Sequence, residues 1–264
     1  MALAVRRLFI ATVLLAAVPH AALAQEAAGA REAAFLAGTT RDCANCNLEG
    51  ADLQRKDLRG GNLANANLFA SNLYLTNFEG ADLTGADLEG ANLSRASLRG
   101  ADLSGATLSY ANLYLTDGTN AKFTGAYAVA AILVRARLQR ATFEEARFID
   151  SDFRFASVGG AIFRNAYLGG CRFDQVNLGR IDMRGANLEV ADLPYAAMRA
   201  TNLEGANLTD ADLFGANLTG ANLKRANLSN ARLQGATTID AEMEGAVLAG
   251  TLMPDGTVFG QGAR

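Results

Sequence analysis

Few residues in this chain have side chains and spacing suited to covalent or redox chemistry. Cys43 and Cys46 stand three apart in DCANC, and Cys171 follows alone. A CxxC pair can serve as a redox dithiol, as half of a zinc site or as a disulfide. Zinc needs a second pair of ligands, and the sequence supplies neither another CxxC nor a histidine near this one. No thioredoxin-like βαβ pattern surrounds it, so the expectation is a disulfide, or two buried thiols, at the start of the ordered region. The one histidine, His20, falls in a segment that reads as removable. The 27 Asp and Glu residues are spread at regular intervals, and nothing resembles a nucleophile motif or a phosphate-binding loop. No catalytic residue, metal ligand or cofactor site is assigned, and an enzyme is not expected.

The N-terminus reads as an export signal. Arg6 and Arg7 precede the apolar run LFIATVLLAAV, which is followed by Pro19, His20 and the small-residue sequence Ala22-Leu23-Ala24 before Gln25. The run is short for a bilayer span. No cysteine follows the cleavage point directly, which argues against a lipid anchor. RRLFI weakly resembles a twin-arginine motif, and an ordinary secretory signal suits it equally. Residues 1–24 are therefore expected to be a signal peptide, with cleavage near Ala24-Gln25 and a periplasmic or secreted product. Losing Arg6 and Arg7 takes the formal charge from −3 to −5. That balance favours solubility and argues against a nucleic-acid partner, which calls for a basic surface. The remainder holds no transmembrane candidate.

After a lead-in over residues 25–42 the chain becomes periodic: CNLEG ADLQR KDLRG GNLAN ANLFA SNLYL TNFEG. Each unit of five has a central Leu or Phe, a small residue two before it, Asn or Asp one before it, and two polar or glycine residues after it. A helix would scatter residues five apart around its circumference, and a strand would send alternate ones to opposite faces. A chain that bends once per unit instead turns the centre and the small residue inward every time. Such units cannot bury their own apolar face and must stack into a solenoid.

These units closely resemble the A(D/N)LXX motif of pentapeptide-repeat proteins over roughly residues 43–260. The resemblance implies an all-β solenoid, a right-handed quadrilateral β-helix with four units and twenty residues per coil. Phe123, Phe143 and Phe163 are twenty apart, and the two NLYLT copies at 72–76 and 112–116 are forty apart, which favours four sides over three. About eleven coils at strand spacing give a rod on the order of 50 Å. A short helical cap is expected from EAAGAREAAFLAG, with Phe35 and Leu36 over the first coil. Leu252, Met253, Val258 and Phe259 are expected to fold over the last coil or to form a homodimer seam, as in some family members. Residues 261–264 are left as a tail.

The departures from the motif carry the rest. Lys56 takes an inward small-residue position, where its amine is expected to leave through the open first coil. Gly118 replaces a central Leu, consistent with a turn or local bulge. Cys171, about six coils beyond Cys46, is expected to be a buried free thiol. Between 122 and 172 the Asn/Asp position becomes basic or aromatic, and Tyr127, Arg147 and Tyr167 should stack as a second patch. Down one edge, Arg55, Leu75, Arg95, Leu115, Arg135 and Phe155 alternate cation and apolar group, beside Tyr74, Tyr114 and Arg154. All are expected to face solvent. Aromatic and Arg residues dominate interface hot spots, so Tyr74, Leu75, Arg95, Tyr114, Leu115, Arg135, Arg154 and Phe155 form a candidate partner-binding strip for a protein or glycan. Self-packing of Arg stems over the leucines is the competing reading. In functional terms, the sequence points to a non-catalytic exported scaffold or interaction module. The alternative is a DNA-mimicking topoisomerase-interacting protein, as in the quinolone-resistance branch of the family, which the export signal and the arginine-rich edges oppose.

Overall fold

The structure is a computed structural model and describes residues 29–260. The signal segment, its cleavage point, His20 and the tail 261–264 lie outside the described residues. The fold is a right-handed quadrilateral β-helix. Each coil takes twenty residues: backbone bridges are parallel and join residue n to residue n + 20, from Asp42↔Asn62 to Arg232↔Leu252.

The local rule that bends the chain lies in the last residue of each unit. Every fifth residue from Asn45 to Gly250 has a positive φ, between +51° and +73°. The backbone amide of the next small residue closes the turn onto the centre's carbonyl, as in Thr76 N–H to Leu73 O at 3.1 Å. Left-handed backbone explains why glycine and asparagine recur at this position. The Asn or Asp before the centre has a separate task. Its Oδ1 accepts the backbone amide two residues on, as in Asn112 with Tyr114 at 3.0 Å, which holds the corner as an Asx turn. Among the described residues only Tyr127–Val129 (β1) and Arg147–Ile149 (β2) run as continuous strands, paired in parallel register. At β1 the turn-closing bond is absent, and the Ala131 amide donates to Ser151 Oγ instead.

The core is a set of Leu columns flanked by Ala columns, buried along almost the whole rod. Threonines at small positions keep their hydroxyls satisfied: Thr76 and Thr116 donate to Leu53 O and Leu93 O at 2.7 and 2.8 Å. In the middle coils phenylalanine replaces leucine. Phe143 stacks between Phe123 and Phe163 with ring centroids 4.7 Å away on both sides, and Phe148 and Phe153 meet it edge-on.

Four details differ from the sequence reading. Gly118 makes no bulge: its amide bonds Arg137 O at 2.7 Å in register, and Leu138 occupies the space its side chain would have taken. Residues 29–36 form a short helix (α1) that buries Phe35 against the first coil, yet Leu36, turned about 100° from it around α1, is exposed. Lys56 does not run out to solvent: its amine donates to the Leu36 carbonyl, an acceptor left free at the helix end. Glu32 further fixes α1 by accepting the Asn47 amide at 2.6 Å. At the far end Val258 is not the next stacked centre. Residues 252–258 turn back as a hairpin, with Leu252 paired antiparallel to Val258 and Met253 N–H on Thr257 O. That hairpin only partly covers Met243 and Leu248, and Phe259 stays half exposed.

Candidate functional site

Each letter of NLYLT now has a place. Asn72 and Asn112 hold Asx turns, Leu73 and Leu113 are core, and Thr76 and Thr116 point inward with their hydroxyls paired. That leaves Tyr-Leu on the surface, with Leu75 and Leu115 at the positive-φ corner (φ +58° and +57°). Twenty-residue coils put Arg55, Leu75, Arg95, Leu115, Arg135 and Phe155 on one edge, all in left-handed conformation. The edge continues one apolar step further than the sequence reading took it. Tyr195, forty residues past Phe155, is also a positive-φ corner and is 59% exposed. The signal was the same forty-residue interval, hidden by Gln175 at the intervening rung.

The strip is less open than expected. Leu75, Arg95, Arg135 and Phe155 are exposed, but Tyr74, Tyr114, Leu115 and Arg154 are half-buried. The reason is the direction in which corner side chains lean. Arg135 lies toward the next coil with its guanidinium 5.7 Å from the Phe155 ring centroid. The same lean recurs elsewhere: Asp150 lies over Gly170, Asn165 over Gly185, and Tyr195 over Gly215. Arg154 is held flat by Asp152, with Nε and a terminal nitrogen 2.9 and 2.6 Å from its two carboxylate oxygens. This pairing raises the Arg154 pKa. Arg55, Arg95 and Arg135 have no acidic partner within 4 Å among the described residues.

The second patch comes together on another face. Tyr127 pairs with Arg147 across β1 and β2, and the Arg147 guanidinium sits 4.4 Å from the Tyr167 ring centroid. Both tyrosines are exposed.

The thiols occupy the interior. Cys43 and Cys46 are joined by a disulfide and are buried in the first coil beside α1. Cys171 is free and buried; its thiol donates to Phe148 O, and burial pushes its pKa up to about 12. Among the described residues no group of three or more His, Cys, Asp or Glu could hold a metal ion, and no helix is long and apolar enough to cross a membrane.

The family model agrees with this repeat. The family described as pentapeptide repeats matches in eight copies, which together cover residues 42–129 and 131–251. No curated protein sequence matches the chain. Among solved structures it is similar to HetL, a pentapeptide-repeat protein involved in heterocyst differentiation regulation from the cyanobacterium Nostoc. There the identity is 31%, over 87% of this chain and 98% of that one, with a TM-score of 0.42. A second Nostoc pentapeptide-repeat protein is 36% identical over 38% of this chain and 78% of that one, with a TM-score of 0.24. QnrB1, a plasmid-mediated fluoroquinolone resistance protein, is 17% identical over 76% of this chain and 86% of that one in a trypsin-treated form, with a TM-score of 0.37. With the motif running almost unbroken through the described residues, the chain belongs to the pentapeptide-repeat family.

Proposed function

We propose that this protein is an exported, non-catalytic scaffold that binds a macromolecular partner along the edge from Leu75 to Tyr195. Pentapeptide-repeat proteins are in general structural or interaction modules. One observation carries the reading: apolar side chains stand exposed at corners where the backbone favours glycine or asparagine. Leu75 is 39% exposed at φ +58°, and Phe155 is 54% exposed at φ +60°. Such a residue costs about 1–2 kcal/mol in backbone conformation and leaves apolar surface in water, so the fold gains little from it. Unpaired arginines between the apolar steps add charge that suits an acidic protein or glycan. The segment with Arg6 and Arg7, the apolar run and the small-residue cleavage sequence supports export.

The test places a photocrosslinking residue at Leu75 or Leu115 in cells making the full chain, followed by fractionation. The expected result is one discrete adduct in the envelope or medium, lost on Arg95→Glu. A protein that stays in the cytoplasm refutes export. Alanine at Tyr74, Leu75, Tyr114 and Leu115 that lowers stability and leaves every adduct unchanged refutes the strip. The C-terminal end supports a second contact, with another copy of the chain: Ile239, Val247 and Phe259 are 64%, 49% and 49% exposed around an incompletely covered coil. Light scattering should report a dimer that Phe259→Glu dissociates; a monomer at all concentrations removes that part.

A further inference from the structure

The rod is open at one place on the face after the strip. Four successive backbone bonds between coils are missing where residues 155–160 meet 174–179, and the coils are joined again at the Ile162↔Asp182 bridge. The amides of Phe155, Val158 and Gly160 on one wall, and of Asn177 on the other, find no hydrogen-bond partner among the described residues. The carbonyls that should receive them, including those of Ala156 and Gly179, are equally free. The bridge Ser157↔Asn177 is absent, although the same column is bridged on both sides of it, at Arg137↔Ser157 and Asn177↔Ala197. A Cβ added to Gly159 would meet nothing within 4 Å, whereas one on Gly179 would meet the next coil's Arg199 O at 3.4 Å. The parted coils line a half-open cleft of about 400 Å³.

The sequence supplies the wedge. Val176 and Ile181 occupy small-residue positions at the two ends of the upper wall. From 46 to 251 every other such position holds Ala, Gly, Ser, Thr or Cys, apart from Lys56 under the cap. Stacked columns sized for Ala have no room for two β-branched side chains, and overpacking is relieved by backbone movement. Gly159 and Gly160 on the lower wall carry no side chains to bridge the opening.

The rim is basic. Across four coils this face reads RLQR, SVGG, NLGR and AMRA (137–140, 157–160, 177–180 and 197–200), with four arginines and no acid. Arg137 is paired with Asp117 at 3.6 Å. Arg140, Arg180 and Arg199 are exposed and have no acidic partner within 4 Å among the described residues. An opening with free backbone donors and acceptors on both walls, flanked by unpaired guanidinium groups and with Asp174 facing Arg172 at its start, has a definite complement.

We propose that this slot binds an extended acidic peptide segment, whose main chain pairs with these free groups while its carboxylates engage Arg140, Arg180 and Arg199. The mode is strand addition, here between two coils rather than at a sheet edge. The volume lies within the range of ligand pockets. Charge complementarity selects an acidic over a basic peptide. The site is separate from the corner strip and does not depend on it.

The test uses a fluorescein-labelled octapeptide of alternating glutamate and threonine, with a lysine-threonine peptide as control, and amide hydrogen exchange on the full chain. The glutamate peptide should bind at low salt and slow exchange at Phe155, Val158, Gly160 and Asn177. Arg180→Glu with Arg199→Glu should weaken it at least tenfold, and so should Val176→Ala with Ile181→Ala, which removes the wedge and keeps the arginines. Leu75→Ala with Leu115→Ala should leave it unchanged, which separates this result from the fate of the strip. Circular dichroism confirms that each variant is folded, and the arginine pair alone decides if the wedge variant is not. Amides of the free protein at 155–160 protected as strongly as those at 137–140 would show a closed slot and overturn the proposal. Binding without new protection, or an alginate oligosaccharide that protects these amides where the peptide does not, would also overturn it.

Discussion

Replacing Phe143 with leucine restores the residue that most units carry at this position, yet it should destabilise the rod. Phe143 is fully buried, with Phe123 and Phe163 stacked 4.7 Å away at interplanar angles of 4° and 6°. An aromatic pair contributes about 0.5–1.5 kcal/mol beyond its buried area, so losing both stacked pairs costs about 1–3 kcal/mol. Leucine is also smaller by roughly one methylene of burial, about 0.8 kcal/mol. The sum is about 2–4 kcal/mol, before the edge contacts with Phe148 and Phe153 are counted. Phe78 provides the control: it is equally buried and has no aromatic partner among the described residues. Phe78→Leu should cost only the methylene, about 0.8 kcal/mol. For a chain of this size each kcal/mol moves Tm by roughly 2–4 °C. Thermal melts followed by circular dichroism should therefore separate the variants, with Phe143→Leu lower by roughly 4–16 °C and Phe78→Leu by roughly 2–3 °C. Equal shifts would refute the idea that the stacked column adds anything to ordinary burial.

Four further outcomes follow from other contacts. Gly215→Ala should cost more than Gly205→Ala in denaturant melts: both corners have positive φ, but only at 215 would the new methyl meet the Tyr195 ring, at 2.8 Å. Asp182 and Asp192 should respond oppositely to pH. Hydrogen bonding from Arg184, and from Arg164 against the opposing effect of burial, holds the Asp182 carboxyl well below its usual range. Its stabilisation is therefore present above the unfolded value near 3.9 and is lost as pH falls toward the folded one. Asp192 is raised by burial and by Asp174, so its ionisation works against the fold as pH rises. Denaturation midpoints should show Asp182→Asn destabilising at pH 7 with a gap that shrinks toward pH 2, and Asp192→Asn stabilising at pH 7 but not at pH 3. Reducing Cys43–Cys46 opens a very short loop, so the loss should be only about 2 kcal/mol, read as faster amide exchange confined to α1 and the first coil. Cys171, with its thiol pushed up to about 12, should stay unmodified by a thiol reagent at pH 8 until the chain unfolds.

The solenoid was legible because a period of five with a buried centre admits few backbones; the family resemblance implied four sides, and twenty-residue spacings such as Phe123, Phe143 and Phe163 favoured four over three. The corner rule was visible only as composition. Glycine and asparagine recur at the last position, but the sequence alone does not say that Leu75 and Arg95 adopt the same left-handed backbone. Exposure on the strip was overestimated, because register places residues on an edge without saying which way their side chains lean. Leu115 and Tyr114 are half-buried for that reason. The slot had a signal in Val176 and Ile181, two branched residues where alanine is the rule. Turning that signal into parted coils requires knowing that both lie at the ends of one face and have no room to repack.

The common lean of the corner side chains gives the rod an arrow. Arg135 reaches forward to Phe155, Asp150 to Gly170 and Tyr195 to Gly215, always toward the later coil. A partner travelling along this edge would meet the Arg135 guanidinium from its stem when it runs one way and from its tip when it runs the other. The two directions are therefore not equivalent, although the repeat looks the same at every step. The edge is a polarised track, and a chain lying on it would be bound in one orientation, with its own ends assigned to particular ends of the rod.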